Sequence, residues 1–282
     1  MRRRPGFQDD KKNQMRILFI GGGNMASALI GGMLQQGFTA ADIRVAEISA
    51  EARSRLQEEF GVGAVAAVDA AIGEDVVVLA VKPQQMREVA AALKPHLRGQ
   101  LVVSIAAGIR TGDLARWLGH GRIVRAMPNT PALLRAGVSG LFAAPQAGPA
   151  DIEAARRILL AVGAVVAIGR EDLLDGVTAV SGSGPAYVFY FIEALQQAAA
   201  ELGFTPEQGR QLALETFSGA AKLAASSSDP VQTLRARVTS KAGTTEAALR
   251  SMEAAQVKRR VVEAIHAAAR RSKELGDEFG KD

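Results

Sequence analysis

The sequence predicts an α/β fold in two parts. A doubly wound parallel sheet spans residues 15–170, after a flexible polar arm at 1–14, and an all-helical half follows over 171–282. Three observations lead there. First, an apolar run ends in three glycines and continues into a helical segment, RILFIGGGNMASALIGGM at 16–33. Second, short apolar runs alternate with helical stretches as far as Ile168, which is the pattern of βαβ units and hence of parallel strands. Third, after Glu171 the strands stop and only helical patterns continue.

The first strand is Ile17–Ile20, and the helix after it carries Met25, Ala26, Leu29, Ile30 and Met33 as apolar positions. Between them, Gly21-x-Gly23-x-x-Ala26 has the spacing and the strand–turn–helix setting of a dinucleotide-binding fingerprint. Gly21 permits the tight turn. Gly23 lets a pyrophosphate reach the backbone, and Ala26 keeps helix and strand close. The phosphates would sit on free N–H groups at the positive end of the helix. The candidate cofactor residues of this turn are Ile20, Gly21, Gly22, Gly23, Asn24, Met25 and Ala26. Gly37 closes the helix and Ile43–Ala46 reads as the second strand. Glu47 stands at its end, where an acid bonds adenosine ribose hydroxyls. An exposed strand-end acid is the alternative reading.

A helix at Ala50–Phe60 and a short strand near Val62–Ala66 come next. The run DVVVLAVKP at 75–83 is apolar throughout its centre, as in a strand buried on both faces. It ends in Lys82-Pro83, at the rim where such sheets bind ligands. A helix to Leu93 follows. Leu101–Ile105 then runs into Ala106-Ala107-Gly108, and Arg122–Met127 into Pro128-Asn129-Thr130-Pro131. All these loops follow strands, so they gather on one rim with the glycine turn. Asp151–Ala161 and Ala164–Ile168 finish this half.

In the second half, Pro185–Leu202 reads as a helix with proline in its first turn and Gly203 past its end. Thr205-Pro206-Glu207-Gln208 is a capping box that opens a helix to about Ala225. Asp229-Pro230 opens another, and Glu246–Met252 and Ala255–Leu275 are the last. Ala186–Leu195 is apolar around much of its circumference, and Ser218-Gly-Ala-Ala221 is unusually small. Helices of this kind need to bury more than one face, which implies an obligate oligomer built through this half.

Composition narrows the function classes. The 282 residues are 48% hydrophobic, enough for a sizeable core. With no cysteine there are no disulfides or thiolate metal sites, which fits a reducing, cytoplasmic setting. His96, His120 and His266 are far apart, so no metal centre is expected. The net charge is +5, yet the basic residues are scattered among acids. The clusters Arg2–Arg4, Lys258–Arg260 and Arg270–Lys273 lack interleaved aromatics, so a nucleic-acid partner is not expected. Residues 1–14 lack the apolar core of a secretory signal, and Asp9 and Asp10 argue against a transit peptide. The uncharged stretch Gly176–Ile192 is broken by Ser181-Gly-Ser-Gly-Pro185, which argues against a membrane span. A small molecule is the expected partner.

Val238-Thr-Ser-Lys-Ala-Gly-Thr-Thr-Glu246 bears on the substrate. This loop brings hydroxyls and open backbone N–H groups to a helix N-terminus, a site suited to a carboxylate. Ordinary N-capping by Thr244 or Thr245 accounts for it equally well.

VTSKAGTTEAAL resembles the signature of the pyrroline-5-carboxylate reductase family. FIGGGNMA, AVKP, VVSIAAG, RAMPNTPAL and AVSGSGPAYVF are similar to that family's other motifs, in the same order and over nearly the whole chain after the arm. The resemblance implies a Rossmann domain joined to a helical dimerisation domain. In the family the helices of two subunits interlock, and dimers often assemble into decamers. It implies reduction of L-1-pyrroline-5-carboxylate to L-proline, the last step of proline biosynthesis, by hydride transfer from NADPH or NADH to the C=N carbon. The cofactor would lie over Gly21–Ala26, with Ala80, Val81, Lys82 and Pro83 near its ribose and Ser104, Ala106 and Ala107 near its nicotinamide. The substrate carboxylate would rest on Ala242, Gly243, Thr244 and Thr245. The threonine matching Thr245 bonds the ring nitrogen, the acid matching Glu171 lies near the same pocket, and the dimer partner helps build the site. A protonated imine is already a strong electrophile, so such a site needs no histidine, cysteine or metal.

The sequence departs from the family's pattern twice. Lys241-Ala242 replaces the frequent Pro-Gly, which should alter the loop's stiffness but not its helix-end geometry. Glu47 stands where many relatives carry a small polar residue. A carboxylate there repels the 2′-phosphate of NADPH and bonds the free hydroxyls of NADH, so NADH should be usable. Ser49 and Arg53 stand close enough to offset the repulsion. Lys82 is available as a general acid, although its place in AVKP points to cofactor contact. A 3-hydroxyacid dehydrogenase shares the two-part plan but needs a lysine on a helix of the second half, and Pro185–Leu202 has none. A catalytically silent dinucleotide-binding protein would need no carboxylate loop.

Overall fold

Eight strands make one sheet in the order β3-β2-β1-β4-β5-β6-β7-β8. The strands are β1 (Ile17–Ile20), β2 (Ile43–Ala46), β3 (Gly63–Val65), β4 (Val76–Leu79), β5 (Leu101–Ser104), β6 (Ile123–Met127), β7 (Gly137–Ala143) and β8 (Gly163–Ala167). The structure, a computed structural model, describes residues 15–68 and 70–281, so the expected polar arm at 1–14 lies outside the described residues. The first six strands pair in parallel, and their order is that of the Rossmann fold.

The expected doubly wound parallel sheet forms, with one antiparallel pairing. Strand β7 runs antiparallel to β6, with Ala126 opposite Leu141 and Met127 opposite Gly140. Parallel neighbours require a crossover element, whereas antiparallel ones can be joined by a tight link. Here the link is a 3₁₀ turn over Thr130–Leu134, followed by Arg135 in the left-handed region at φ 56°. Strand β8 returns to a parallel pairing with β7 after the helix Pro149–Leu160.

Strands β1, β4 and β5 are buried along their whole length, as their unbroken apolar runs require. Alternate residues serve opposite faces. Ile17 and Phe19 join Leu29, Ile30, Met33 and Leu159 on one side. Leu18 and Ile20 join Leu79, Met86, Leu114 and Trp117 on the other. The covering helices are α1 (Asn24–Gln35), α2 (Ala50–Phe60), α3 (Met86–Leu93), α4 (Thr111–Leu118) and α5 (Pro149–Leu160). Ser49 caps α2 by accepting the Ala52 N–H, and Gly61 closes it in the left-handed conformation. At the start of α5, Asp151 accepts the Gly148 N–H at 3.0 Å and a two-pronged Arg122 guanidinium at 2.7–3.1 Å. Burial alone would raise the Asp151 pKa, but these bonds and the Arg122 charge outweigh it and hold the carboxyl below its ordinary value.

Backbone contacts divide the chain into two compact units. The first runs through Gly182 and also takes in the chain from Ala269 onward, and the second is Ser183–Ala268. The sequence places the boundary at residue 171, whereas the short helix α6 (Leu173–Val177) and a π-helical turn at Thr178–Gly182 belong to the first unit. Leu174 and Val177 pack on β7 at Gly140, where an added Cβ would come within 2.8 Å of Val177. The C-terminal end of the chain returns to this unit through Ser272, which donates to Asp175 at 2.7 Å, and through Phe279, whose ring lies on Gly108.

The second unit contains α7 (Gly184–Glu201), α8 (Pro206–Ser226), α9 (Val231–Arg237), α10 (Thr244–Ala254) and the first half of α11 (Val257–Phe279). The capping box at Thr205 and Gln208 forms as read from the sequence. Helices α7 and α8 meet at Ala199 and Gly209. Large apolar side chains elsewhere on these helices stay exposed, among them Phe189, Tyr190, Leu202, Leu212 and Leu223. Among the described residues no helix is long and apolar enough to cross a membrane.

Candidate functional site

The ends of β1, β2 and β4 open onto a cleft of about 370 Å³ in the first unit. Ile20, Gly21, Gly23, Glu47, Ala80, Val81 and Lys82 all line it, so seven of the fifteen sequence-predicted cofactor residues come together there. Its far wall is an apolar shelf of Ala66, Val68, Val89 and Leu93. Ile48, exposed at the rim, and Gln85 also line the cleft. The sequence reading missed both, and only their position just after a strand end hints at them.

The glycine turn has three separate reasons for its glycines. Gly21 has φ 97°, and an added Cβ would sit 2.7 Å from the Ala80 carbonyl oxygen. At Gly22 an added Cβ would meet Leu56 at 2.6 Å. Nothing lies within 4 Å of the corresponding point at Gly23, so that face of the turn is open to a ligand. Gly23 is also the N-cap of α1 and offers no side chain to the helix amides. An open cradle backed by unclaimed N–H groups fits the diphosphate of a dinucleotide.

The remaining predicted residues of this half do not line the cleft. Asn24 is exposed, Met25 is half-buried and Ala26 is buried against the sheet. Pro83 opens a 3₁₀ turn that leads into α3. Ser104 is fully buried at the end of β5, and its hydroxyl faces the Ala106 N–H at 3.4 Å. Ala106 is buried and Ala107 half-buried in the loop that follows.

Glu47 is more constrained than a strand-end acid needs to be. Its Oε2 accepts the Gly22 N–H at 2.7 Å and its Oε1 accepts the Ser49 N–H at 2.8 Å. Glu171 is likewise engaged. It accepts the Thr111 N–H and the Thr111 hydroxyl, each at 2.7 Å, and Arg125 donates to it at 3.1 Å. Arg125 is buried beside Ser104 in the sheet, so Glu171 ties β6 to the start of α4. Arg125 and Asn129 were not singled out from the sequence. Asn129 accepts the Val138 N–H at 2.9 Å and donates to the Ser181 carbonyl at 3.1 Å, which fixes the Pro128–Pro131 loop. A charged residue inside an apolar strand was the available signal for Arg125. For Asn129 there was only its position between two prolines.

In the second unit, the loop before α10 has its own geometry. Gly243 is the N-cap of α10, and an added Cβ there would fall 2.3 Å from the Ser240 hydroxyl. Thr244 and Thr245 are the first two helical residues, so the reading of either as the cap is corrected. Their amides belong to the set with no intrahelical acceptor. The neighbouring amides are engaged: Ala242 N–H donates to Glu246 at 2.5 Å and Gly243 N–H to the Ser240 carbonyl at 3.1 Å. Ala242 adopts φ 61°, a left-handed conformation unusual for alanine. Of the four residues expected to receive a carboxylate, Thr244 and Thr245 are the two with amides to offer.

Residues 171–275 match the family model for pyrroline-5-carboxylate reductase dimerisation, and residues 16–108 match that for NADP oxidoreductase, coenzyme F420-dependent. The chain is 48% identical over 269 residues to the pyrroline-5-carboxylate reductase of Pseudomonas aeruginosa, covering 94% of this chain and 98% of that one. The solved pyrroline-5-carboxylate reductase of Coxiella burnetii is similar at a TM-score of 0.89 and 42% identity, over 93% of this chain and 99% of that one. The Plasmodium falciparum enzyme solved with NADP bound is similar at 0.82 and 30% identity, over 93% and 98%. The chain therefore belongs to the pyrroline-5-carboxylate reductase family, NAD(P)H-dependent oxidoreductases that convert pyrroline-5-carboxylate to proline.

Proposed function

We propose that this chain reduces L-1-pyrroline-5-carboxylate to L-proline, with the diphosphate of NADH or NADPH on the Gly21–Ala26 turn and the substrate carboxylate on Thr244 and Thr245. One observation carries the reading. Helices α1, α5 and α10 all start with an extended glycine N-cap. At α5 Asp151 takes the amide of the cap residue itself, whereas at α1 and α10 the nearby acids Glu47 and Glu246 take the amide one residue before the cap, at Gly22 and Ala242, and no side chain caps the first-turn amides. Two helix ends kept for anions suit a reaction that joins a diphosphate-bearing cofactor to a small carboxylic acid.

The bound nicotinamide cofactor supplies the hydride for the C=N carbon. The amides of Thr244 and Thr245 hold the carboxylate, and the Thr245 hydroxyl bonds the ring nitrogen, which carries its proton through to the amine. Alignment of this kind lowers a barrier by up to about 7–11 kcal/mol, so no strong acid is required of the protein. Glu171 supports the site by holding Thr111 and Arg125 in place. The enzyme works in the cytoplasm, which the lack of cysteine supports. Family resemblance supports further assembly of its dimers into decamers, and the scattered basic residues support a role without nucleic acid.

Oxidation of NADH and NADPH in the presence of pyrroline-5-carboxylate, for the parent and for Thr245→Ala, tests the proposal. The parent should turn over, and the variant should lose about 10–100-fold in kcat/KM, the effect of about 1.4–2.7 kcal/mol of lost transition-state interaction. A parent that binds cofactor but leaves the imine untouched, or a variant with undiminished kcat/KM, would refute it.

A further inference from the structure

We propose that Glu47 makes this chain selective for NADH over NADPH. The inference rests on reading the first unit's cleft as the dinucleotide site, and it concerns which dinucleotide is accepted. The carboxylate stands at the end of β2 on the cleft wall. It is not free to turn aside: the Gly22 and Ser49 amides grip one oxygen each, at 2.7 and 2.8 Å. Swinging it away would break two charge-assisted bonds and undo the glycine turn that carries the diphosphate. Each oxygen still has a lone pair for a ribose hydroxyl. A 2′-phosphate at the same point would bring a second anion against a fixed first one.

The nearby groups able to face such a phosphate make their contacts to the backbone instead. The Ser49 hydroxyl caps α2. Arg53 turns its Nη1 to the carbonyl oxygens of Glu47 and Ile48, at 2.7 and 2.9 Å. Arg55 reaches the Gly22 carbonyl at 3.3 Å. Lys82 lines the cleft, but it follows β4, and β1 lies between β4 and β2 in the sheet. Both guanidinium groups are directed at backbone carbonyls, and the side-chain acceptor fixed at the end of β2 on the cleft wall is the Glu47 carboxylate.

The test is equilibrium binding of NADH and NADPH to the full-length protein, read by calorimetry, with 5′-AMP and 2′,5′-ADP as competitors that differ only by the 2′-phosphate. The parent should bind NADH at least about tenfold more tightly than NADPH, equivalent to about 1.4 kcal/mol, and 2′,5′-ADP should compete less well than 5′-AMP. In Glu47→Ser the NADH preference should fall by at least about tenfold, the same increment. Thermal denaturation of the variant shows whether it folds, and the parent's own affinity ratio decides the matter if it does not. Equal or tighter binding of NADPH by the parent overturns the proposal while leaving the dinucleotide reading intact. An unchanged ratio in a folded Glu47→Ser also overturns it. Failure of the parent to bind either dinucleotide overturns the reading of the cleft itself.

Discussion

The Glu171–Arg125 pair separates a structural role from a substrate-binding one. Arg125 has a side chain only 5% exposed, while that of Glu171 is 23% exposed. Glu171→Ala would leave a buried guanidinium without its counter-charge and the Thr111 amide and hydroxyl without their acceptor. Removing one partner of a fully buried pair costs about 3–5 kcal/mol. The partial exposure of Glu171 lets water take over some of the lost bonds, so the expected loss is about 2–3 kcal/mol. For a chain of this size that corresponds to a fall in Tm of roughly 5–10 °C. Thermal unfolding gives this value, and a cycle with Arg125→Met should show that the two changes are not additive, because removing both charges abolishes the orphaned cation. Steady-state kinetics on the same variant should show KM for pyrroline-5-carboxylate within about threefold of the parent, under 0.7 kcal/mol of binding. An unchanged Tm with a KM raised tenfold or more would refute this, and would make Glu171 a substrate ligand.

Two further perturbations test local energetics. Ala242→Gly relieves a left-handed alanine, φ 61°, and should stabilise the protein by about 1 kcal/mol, read as a rise in Tm; a lower Tm would show that the conformation carries no strain. The Arg122–Asp151 bond should make Asp151→Asn about 1–2 kcal/mol less stable than the parent at neutral pH. The native Asp151 pKa is lowered, so this difference is fully present above the unfolded carboxylate value of about 4 and disappears as pH falls through the lower native value. Neighbouring His120 is held below its ordinary pKa by burial and then by Arg122, so parent and variant share a loss of stability as pH falls below about 6.5. The difference between them isolates Asp151, and a gap that widened below pH 4 would contradict the assignment.

What was legible in the sequence followed local patterns. Strands β1, β4 and β5 announced themselves as unbroken apolar runs because both of their faces are buried. The turn Gly21–Gly23 and the cap at Thr205 depend on residues within four positions of each other. Strand β7 did not show itself, since Gly-Val-Ser-Gly-Leu-Phe-Ala has two glycines, and its reversal turns on Arg135, which carries no turn signal. The glycine cap of α10 was hidden for a similar reason. A glycine N-cap makes no side-chain bond, so the hydroxyls of Thr244 and Thr245 drew the eye instead. The return of the chain end to the first unit depends on Ser272 with Asp175 and Arg110 with Asp277, pairs far apart in sequence that no periodicity connects. The hold of the Gly22 amide on Glu47 is long-range in the same way.

The second unit sets a condition on everything built upon it. Its nearly buried apolar residues are few and small, chiefly Ile192, Ala199 and Ala213. Phe189, Tyr190, Leu202, Phe204, Leu212 and Met252 are all more than 40% exposed. Burying a side chain of this size contributes about 1.5–3 kcal/mol, and net stability of a whole domain is only about 5–15 kcal/mol. Leaving several such groups in water therefore forgoes a stabilisation comparable with the whole stability of the fold. The match of residues 171–275 to a dimerisation family supports self-association through this part of the chain. The α10 loop, with its left-handed Ala242 and glycine cap, is part of the same helical unit. Self-association that covered this surface would therefore also stabilise the helical unit that carries the α10 loop, so that on the proposed reading the subunit contact and the residues Thr244 and Thr245 depend on the same scaffold.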